Sequence, residues 1–143
     1  MLGRKSYTAD ELMAAQRIVD RQLNAYRALV EAVDKTGDAS ARAAVEELEP
    51  ELVANLALAL DRVFVHRTRP ATGKESTPLN ELEVLTDALM GNDGVVRGVS
   101  AIRYQPEQTV LGLAPGDRVR LTADRFAQLA RAVLGELDEK FRE

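Results

Sequence analysis

The feature that most constrains the fold of this 143-residue chain is a long stretch of apolar residues at helical spacing. These residues recur every three or four positions and so share one helical face: Leu12, Ala15, Val19, Leu23, Tyr26, Val30 and Val33. Thr8 and Glu11 have the spacing of a capping box, and Gly37 is a stop signal. The sequence therefore predicts a helix from about Ala9 to Thr36, roughly 40 Å long. That length favours an antiparallel bundle or a dimer.

A second helical region extends from about Ser40 to His66, and Pro50 interrupts it. Because proline lacks an amide donor and clashes with the preceding turn, we expect either a kink at Pro50 or two separate helices. Between Leu52 and Phe64 the sequence is apolar almost all round the helix. That pattern is typical of a central helix buried on several sides.

Two further helices are predicted in the second half of the chain. Thr77 caps the first of them, Pro78 occupies its first position, and the turn sequence at residues 91–94 ends it. Thr122 caps the last helix. The apolar face of the last helix consists of Phe126, Leu129, Val133, Leu137 and Phe141.

The segment between these two helices has a different character. Residues 95–104 contain β-branched and aromatic residues, and residues 118–121 alternate between charged and apolar side chains after a turn signal. We therefore predict that these segments pair as a small two-stranded β ribbon before the last helix.

Length and composition fit a single domain spanning residues 1–143. Hydrophobic residues make up 45% and charged residues 29%, which is ordinary for a globular protein. The predicted fold is mainly α, a bundle of three to four long helices with the ribbon. A short N-terminal arm is expected at residues 1–7 and a loop at residues 67–76.

Composition also argues against several classes of function. The chain has no Cys and one His, so we expect no disulfide, no metal and no cofactor. No apolar run approaches the ~18 residues of a membrane span, and residues 1–12 lack the apolar stretch of a signal peptide. Arg greatly outnumbers Lys, as in GC-rich bacterial genomes, so we expect a bacterial, cytoplasmic protein. The net charge of −4 argues against nucleic-acid binding.

The basic residues of this acidic chain are concentrated in two segments. Residues 62–74 hold four basic side chains and the one His without an acid, and residues 97–120 hold four basic side chains against two acids. These segments either pair with acidic segments across the fold or converge into one anion-binding site. The anion-binding site would use Arg62, His66, Arg67, Arg69, Lys74, Arg103 and Arg118.

The sequence shows no catalytic constellation. His66 lies near the predicted end of a helix, where the dipole stabilises a positive charge, so a structural role is expected. A lone His also serves as a general base near neutral pH. Asp61, however, is five residues away and on a different helical face. We therefore assign no catalytic residue and favour a non-enzymatic protein, with a small enzyme as the alternative.

Five short motifs occur in the second half of the chain. They are FVHR at 64–67, GK at 73–74, PLNE at 78–81, LMGNDGV at 89–95 and GDR at 116–118. Together they resemble a group of short bacterial proteins associated with actinobacteria, over roughly residues 60–143. The group has no assigned activity, so the resemblance implies a bacterial source and no site residues.

Two hypotheses about function follow from these patterns. The first is a small non-enzymatic interaction protein, a homodimer or a partner of another protein, because the first helix is long and has near-heptad spacing. The second is an anion-binding module or small enzyme that uses the basic segment 62–74, with phosphate or a nucleotide as its ligand.

Overall fold

A computed structural model of the chain describes residues 6–62 and 72–143. Within these residues the protein is mainly helical, as predicted. The regular elements are α1 (Ala9–Thr36), α2 (Ala39–Leu60), α3 (Pro78–Gly91), a 3-10 turn (Pro106–Gln108) and α4 (Ala123–Phe141). None of the four helices combines the length and the apolar character that crossing a bilayer requires.

Local capping sets the ends of the helices. The Thr8 hydroxyl accepts a hydrogen bond from the Glu11 amide at 3.2 Å, and the Glu11 carboxylate accepts one from the Thr8 amide at 2.9 Å. Gly37 then ends α1 with a φ of 67°, a left-handed conformation that glycine adopts without strain. Thr77 and Thr122 cap α3 and α4 with their side chains, which accept the amides of Asn80 and Arg125. The predicted bounds of α1 and the predicted caps are therefore confirmed.

Helix α2 differs from the sequence prediction in two respects. It continues through Pro50 as one helix, so the alternative of two separate helices is wrong. Proline removes one backbone hydrogen bond, and the buried residues Val45 and Val53 hold the flanking turns in place. The second half of α2 is not buried all round, because Asn55 and Ala59 are exposed.

Helix α4 occupies the centre of the bundle and packs against the other three helices. Its apolar face is fully buried at Phe126, Leu129 and Val133, which are all 0% exposed. Leu137 on the same face is also buried, and Phe141 is partly buried against the core. The prediction of the α4 stripe is confirmed, whereas the central position that the sequence suggested for α2 belongs to α4.

The predicted β ribbon is wrong, because the described residues contain no strand. Val95 and Arg118 form an isolated antiparallel bridge, and the Val96 amide donates to the Asp117 carbonyl at 2.8 Å. Residues 101–104 do not pair with residues 118–121. Instead the Arg103 amide donates to the backbone of residue 74. The backbone donors of this region find acceptors in the segment before α3 and in side chains, so a continuous ladder does not form.

The short segment before α1 is held by the end of α4. Tyr7 is 2% exposed, and its amide donates to the Phe141 carbonyl at 2.7 Å. The Glu143 amide in turn donates to the Tyr7 carbonyl at 2.9 Å. The described part of the predicted N-terminal arm is therefore packed against the bundle.

Candidate functional site

The predicted anion-binding residues fall into two groups. His66, Arg67 and Arg69 lie outside the described residues, as does the first half of the predicted loop at 67–76. The other four lie within the described residues and are all exposed: Arg62, Lys74, Arg103 and Arg118.

Lys74 and Arg103 are brought together by the backbone. The Arg103 amide donates to the Lys74 carbonyl at 2.7 Å, and the Ser76 hydroxyl donates to the Arg103 carbonyl at 3.0 Å. The Arg103 guanidinium also lies 2.5 Å from the Glu75 carboxylate. The Glu75 carboxylate therefore already neutralises the positive charge of Arg103.

Arg118 has a different set of partners. Its guanidinium donates to the Asp93 carbonyl at 2.8 Å, and it lines a cleft of about 250 Å³ that also contains Glu51 and Arg120. This cleft lies between α2 and the end of α3. The contacts of Arg118 are thus distinct from those that join Lys74 to Arg103.

Acidic residues of the 75–96 segment pair with basic residues of the 97–120 segment. Arg97 binds both carboxylate oxygens of Asp87, at 2.9 and 3.2 Å, and Arg103 pairs with Glu75. These contacts support the hypothesis that basic and acidic segments neutralise each other across the fold. The anion-binding site stays a prediction.

Two carboxylates are buried in the core, those of Glu81 and Glu136. The sequence pattern did not predict burial for either of them. Glu81 on α3 is 0% exposed, and its two oxygens accept the amides of Val110 and Leu111 at 2.8 and 2.9 Å. Glu136 on α4 accepts the Leu79 amide at 3.3 Å and lies 3.7 Å from the Lys140 ammonium. Burial is the main cause that raises the pKa of both groups, and the hydrogen bonds oppose it. Backbone amides bind both oxygens of Glu81, so the role of this carboxylate is structural, whereas in Glu136 a backbone amide binds one oxygen only.

Asn80 holds the segment before α3 in place. Its side-chain amide donates to the carbonyls of Glu75 at 2.8 Å and of Thr72 and Gly73 at 3.3 Å each. Asn80 is 0% exposed, so these bonds are made inside the protein. No local sequence signal shows this, because the acceptors are backbone atoms that only the folded loop brings together.

One side of the α1–α2 hairpin carries a stripe of uncharged residues, next to a small groove between the two helices. On α1 its positions have alternating four- and three-residue spacing: Ile18, Gln22, Ala25, Leu29 and Ala32. On α2 its positions are Ala44, Leu48, Leu52, Asn55 and Ala59. We call these residues the α1–α2 seam. Ile18, Leu29 and Leu48 are 47%, 41% and 43% exposed, so large apolar side chains of the seam reach solvent.

The register of the hairpin brings the two halves of the seam together. Ile18, Gln22 and Ala59 line one apolar groove of about 80 Å³ between the two helices. Near the turn of the hairpin, Arg42 lies 2.9 Å from Asp34. Between these two points, antiparallel helices place Leu29 level with Leu48.

A larger cleft lies between the second half of α1, the first half of α2 and the start of α4. Its volume is about 580 Å³, and it shares no residue with the seam. Its lining consists of Tyr26, Arg27, Val30, Glu31, Asp34, Lys35, Arg42, Val45, Glu46, Glu49, Ala123 and Asp124. Hydrophobic periodicity predicted that Tyr26 and Val30 lie on the apolar face of α1, but not that they border a cleft.

The described residues contain no group of three or more His, Asp or Glu side chains placed to hold a metal ion. Comparisons of the chain with protein-family models, with curated proteins and with solved structures find no match.

Proposed function

We propose that this protein is a small non-enzymatic interaction protein of the bacterial cytoplasm, which forms a homodimer through the α1–α2 seam. The observation that carries the proposal is the uncharged stripe with Ile18, Leu29 and Leu48 exposed on one side of the molecule.

The near-heptad stripe predicted on α1 does not itself supply this interface. Leu12, Val19 and Leu23 belong to that stripe, and they are buried in the core of the same chain. The seam is a second stripe on the same helix, and it contains smaller residues. Alanine at Ala25 and Ala32 allows another helix to approach closely, and the alternating four–three spacing is that of a helix-packing seam.

The composition of the seam is unlike that of a solvated surface. In a chain with 29% charged residues, none of the seam positions on either helix carries a charge. A solvent-facing stripe normally mixes charges of both signs, and a rimmed apolar patch indicates a contact surface. Arg21 is three residues after Ile18 and four before Ala25, so it borders the stripe, whereas Lys35 lines the separate cleft.

A second copy of the chain is the partner that fits this surface best. In a two-fold dimer the same patch meets itself, and an uncharged patch does so without opposing like charges. Two α-hairpins that pack through such faces form a four-helix bundle, which is a common dimer architecture. Leu29 and Leu48 are large apolar side chains that this interface would bury, in the half of the seam nearer the hairpin turn.

Sedimentation velocity and light scattering at micromolar concentrations test the proposal. The wild type should have twice the 15.7 kDa mass of the chain. Leu29→Glu and Leu48→Glu should each give a folded monomer, because each copy would bring a charge into the apolar interface. Met90→Glu is the matched control, since Met90 is 75% exposed and lies on α3, and it should stay dimeric. A 15.7 kDa wild-type species at all concentrations would contradict the proposal.

A further inference from the structure

We propose that the cleft between α1, α2 and the start of α4 binds an organic cation, an alkylammonium or alkylguanidinium group on a hydrocarbon stem. This site is separate from the α1–α2 seam and does not depend on self-association.

The shape and the floor of the cleft suit a small ligand. A volume of about 580 Å³ lies within the roughly 300–1,000 Å³ of typical small-molecule sites. Tyr26, Val45 and Ala123 are buried at its base, and Val30 is half-buried on its wall. These residues offer an apolar surface on which a hydrocarbon stem can lie.

The charged groups around this floor carry an excess of negative charge. Five lining residues are acidic, Glu31, Asp34, Glu46, Glu49 and Asp124, and three are basic, Arg27, Lys35 and Arg42. The difference of three positive and five negative charges is −2. An anionic ligand would face these carboxylates, so the electrostatics of the cleft favour a cation.

Each basic residue of the cleft is already matched by an acid. Lys35 lies 3.4 Å from Glu31, and Arg27 lies 3.2 Å from Asp124. Arg42 contacts two acids, Asp34 at 2.9 Å and Glu46 at 3.1 Å. The group of Asp34, Arg42 and Glu46 therefore supplies one of the two excess negative charges, and Glu49 supplies the other.

Glu49 lies at the apolar floor and accepts a hydrogen bond from a neutral donor. Its carboxylate accepts the Ala123 amide at 3.1 Å and lies close to the Tyr26 side chain. Burial and then the nearby Glu49 charge raise the pKa of Tyr26, so the phenol stays protonated beside the carboxylate. A half-buried carboxylate beside an aromatic ring is an environment that attracts an ammonium or guanidinium group.

Binding is tested with the full chain by isothermal titration and by amide chemical shifts. Agmatine and pentylammonium supply the cation on a hydrocarbon stem, and hexanoate supplies the same stem with a negative charge. We expect the two cations to bind and to shift the amides of Tyr26 and Ala123, whereas hexanoate should do neither. Blocked arginine, N-acetyl-arginine amide, distinguishes the two sources of this chemistry. If blocked arginine binds more tightly than agmatine, the natural ligand is an arginine side chain of a protein. If agmatine binds more tightly, the natural ligand is a free amine.

Matched variants locate the site. Glu49→Gln should weaken agmatine binding by about tenfold or more, since it removes the charge and keeps the shape. Glu46→Gln changes an exposed residue of the same cleft and should weaken agmatine binding by a smaller factor. If Glu49→Gln fails to fold, Glu46→Gln is the variant that tests the site. Glu139→Gln, at an exposed position near the other end of α4, should have no effect.

Two results would overturn the proposal. One is equal agmatine affinity in Glu46→Gln, Glu49→Gln and Glu139→Gln, and the other is binding of hexanoate as tight as that of pentylammonium. Leu29→Glu should keep agmatine affinity unchanged, which separates failure at this cleft from failure of the dimer interface.

Discussion

The carboxylate of Glu81 accepts a hydrogen bond from the backbone amide of Leu111, which lies 30 residues further along the chain, at 2.9 Å. The neighbouring amide of Val110 binds the other oxygen at 2.8 Å. One buried side chain on α3 thereby holds a segment that has almost no regular secondary structure of its own. The guanidinium of Arg125 on α4 reaches the Leu111 carbonyl at 2.5 Å and holds the same point from the other side.

Replacement of Glu81 should destabilise the protein strongly. Glu81→Ala leaves two amides without their acceptor, at a cost of ~1–3 kcal/mol for each buried group, so we expect a loss of about 2–4 kcal/mol. Urea unfolding followed by circular dichroism measures it. Glu107→Ala, an exposed residue in the same region, is the control and should stay within about 0.5 kcal/mol of the wild type. Equal stability of the two variants would show that Glu81 does not hold this segment.

The buried carboxylates should also make stability depend on pH in an unusual direction. Burial raises the folded-state pKa of Glu81 and Glu136 above the ordinary 4.5, so the folded protein binds protons more tightly than the unfolded chain. Their stabilising contribution is fully present below pH 4.5 and is lost as pH rises through the raised pKa.

Urea unfolding at a series of pH values from 4.5 upward checks this expectation. The free energy of unfolding of the wild type should be compared with that of the Glu81→Gln/Glu136→Gln double variant at each pH. The difference, wild type minus double variant, should fall as pH rises. The comparison is needed because it isolates the contribution of these two carboxylates from that of the rest of the protein. A difference that is flat, or that increases with pH, would contradict the assignment. Glu139→Gln serves as the control and should reproduce the wild-type profile.

Asn80 offers a nearly isosteric test of the segment before α3. Asn80→Asp replaces the donor by a carboxylate that faces the carbonyls of Thr72, Gly73 and Glu75, so repulsion and a buried charge replace hydrogen bonds. We expect a loss of about 2 kcal/mol or more at neutral pH, and a smaller loss at acidic pH where the new group is protonated. Asn24→Asp on the exposed face of α1 makes the same chemical change in water and should be nearly neutral. Similar effects of the two substitutions would show that Asn80 is not a structural donor.

Local sequence signals predicted the helices well, because caps and helical periodicity act over a few residues. The capping box of Thr8 and Glu11 and the left-handed Gly37 set α1 without help from distant parts of the chain. The prediction of the β ribbon was wrong because strand pairing depends on distant parts of the chain. Alternation at residues 101–104 indicates extended backbone, but it does not identify a partner, and the Arg103 amide binds Lys74 instead of a second strand.

The candidate sites were predictable only in part. The acidic and basic segments were visible in the sequence, and the ion pairs of Arg97 with Asp87 and of Arg103 with Glu75 join them. The seam was not recognised, because small residues such as Ala25 and Ala32 give a weak periodic signal beside the stronger buried stripe. The 580 Å³ cleft depends on Glu49 meeting Ala123, which is 74 residues away, and no local pattern encodes that contact.

Local sequence patterns were enough to predict where the long helices begin, which face of each is apolar, and which stretches are acidic or basic. These properties follow from capping, side-chain periodicity and charge, all of which act within a turn or two of helix. The central position of α4, the burial of Glu81 and Glu136, and the exposure of one apolar stripe of α1 instead arise from the packing of the helices. Each of these outcomes depends on which distant surfaces pack together, because burial and hydrogen bonding are properties of the assembled core rather than of any single segment.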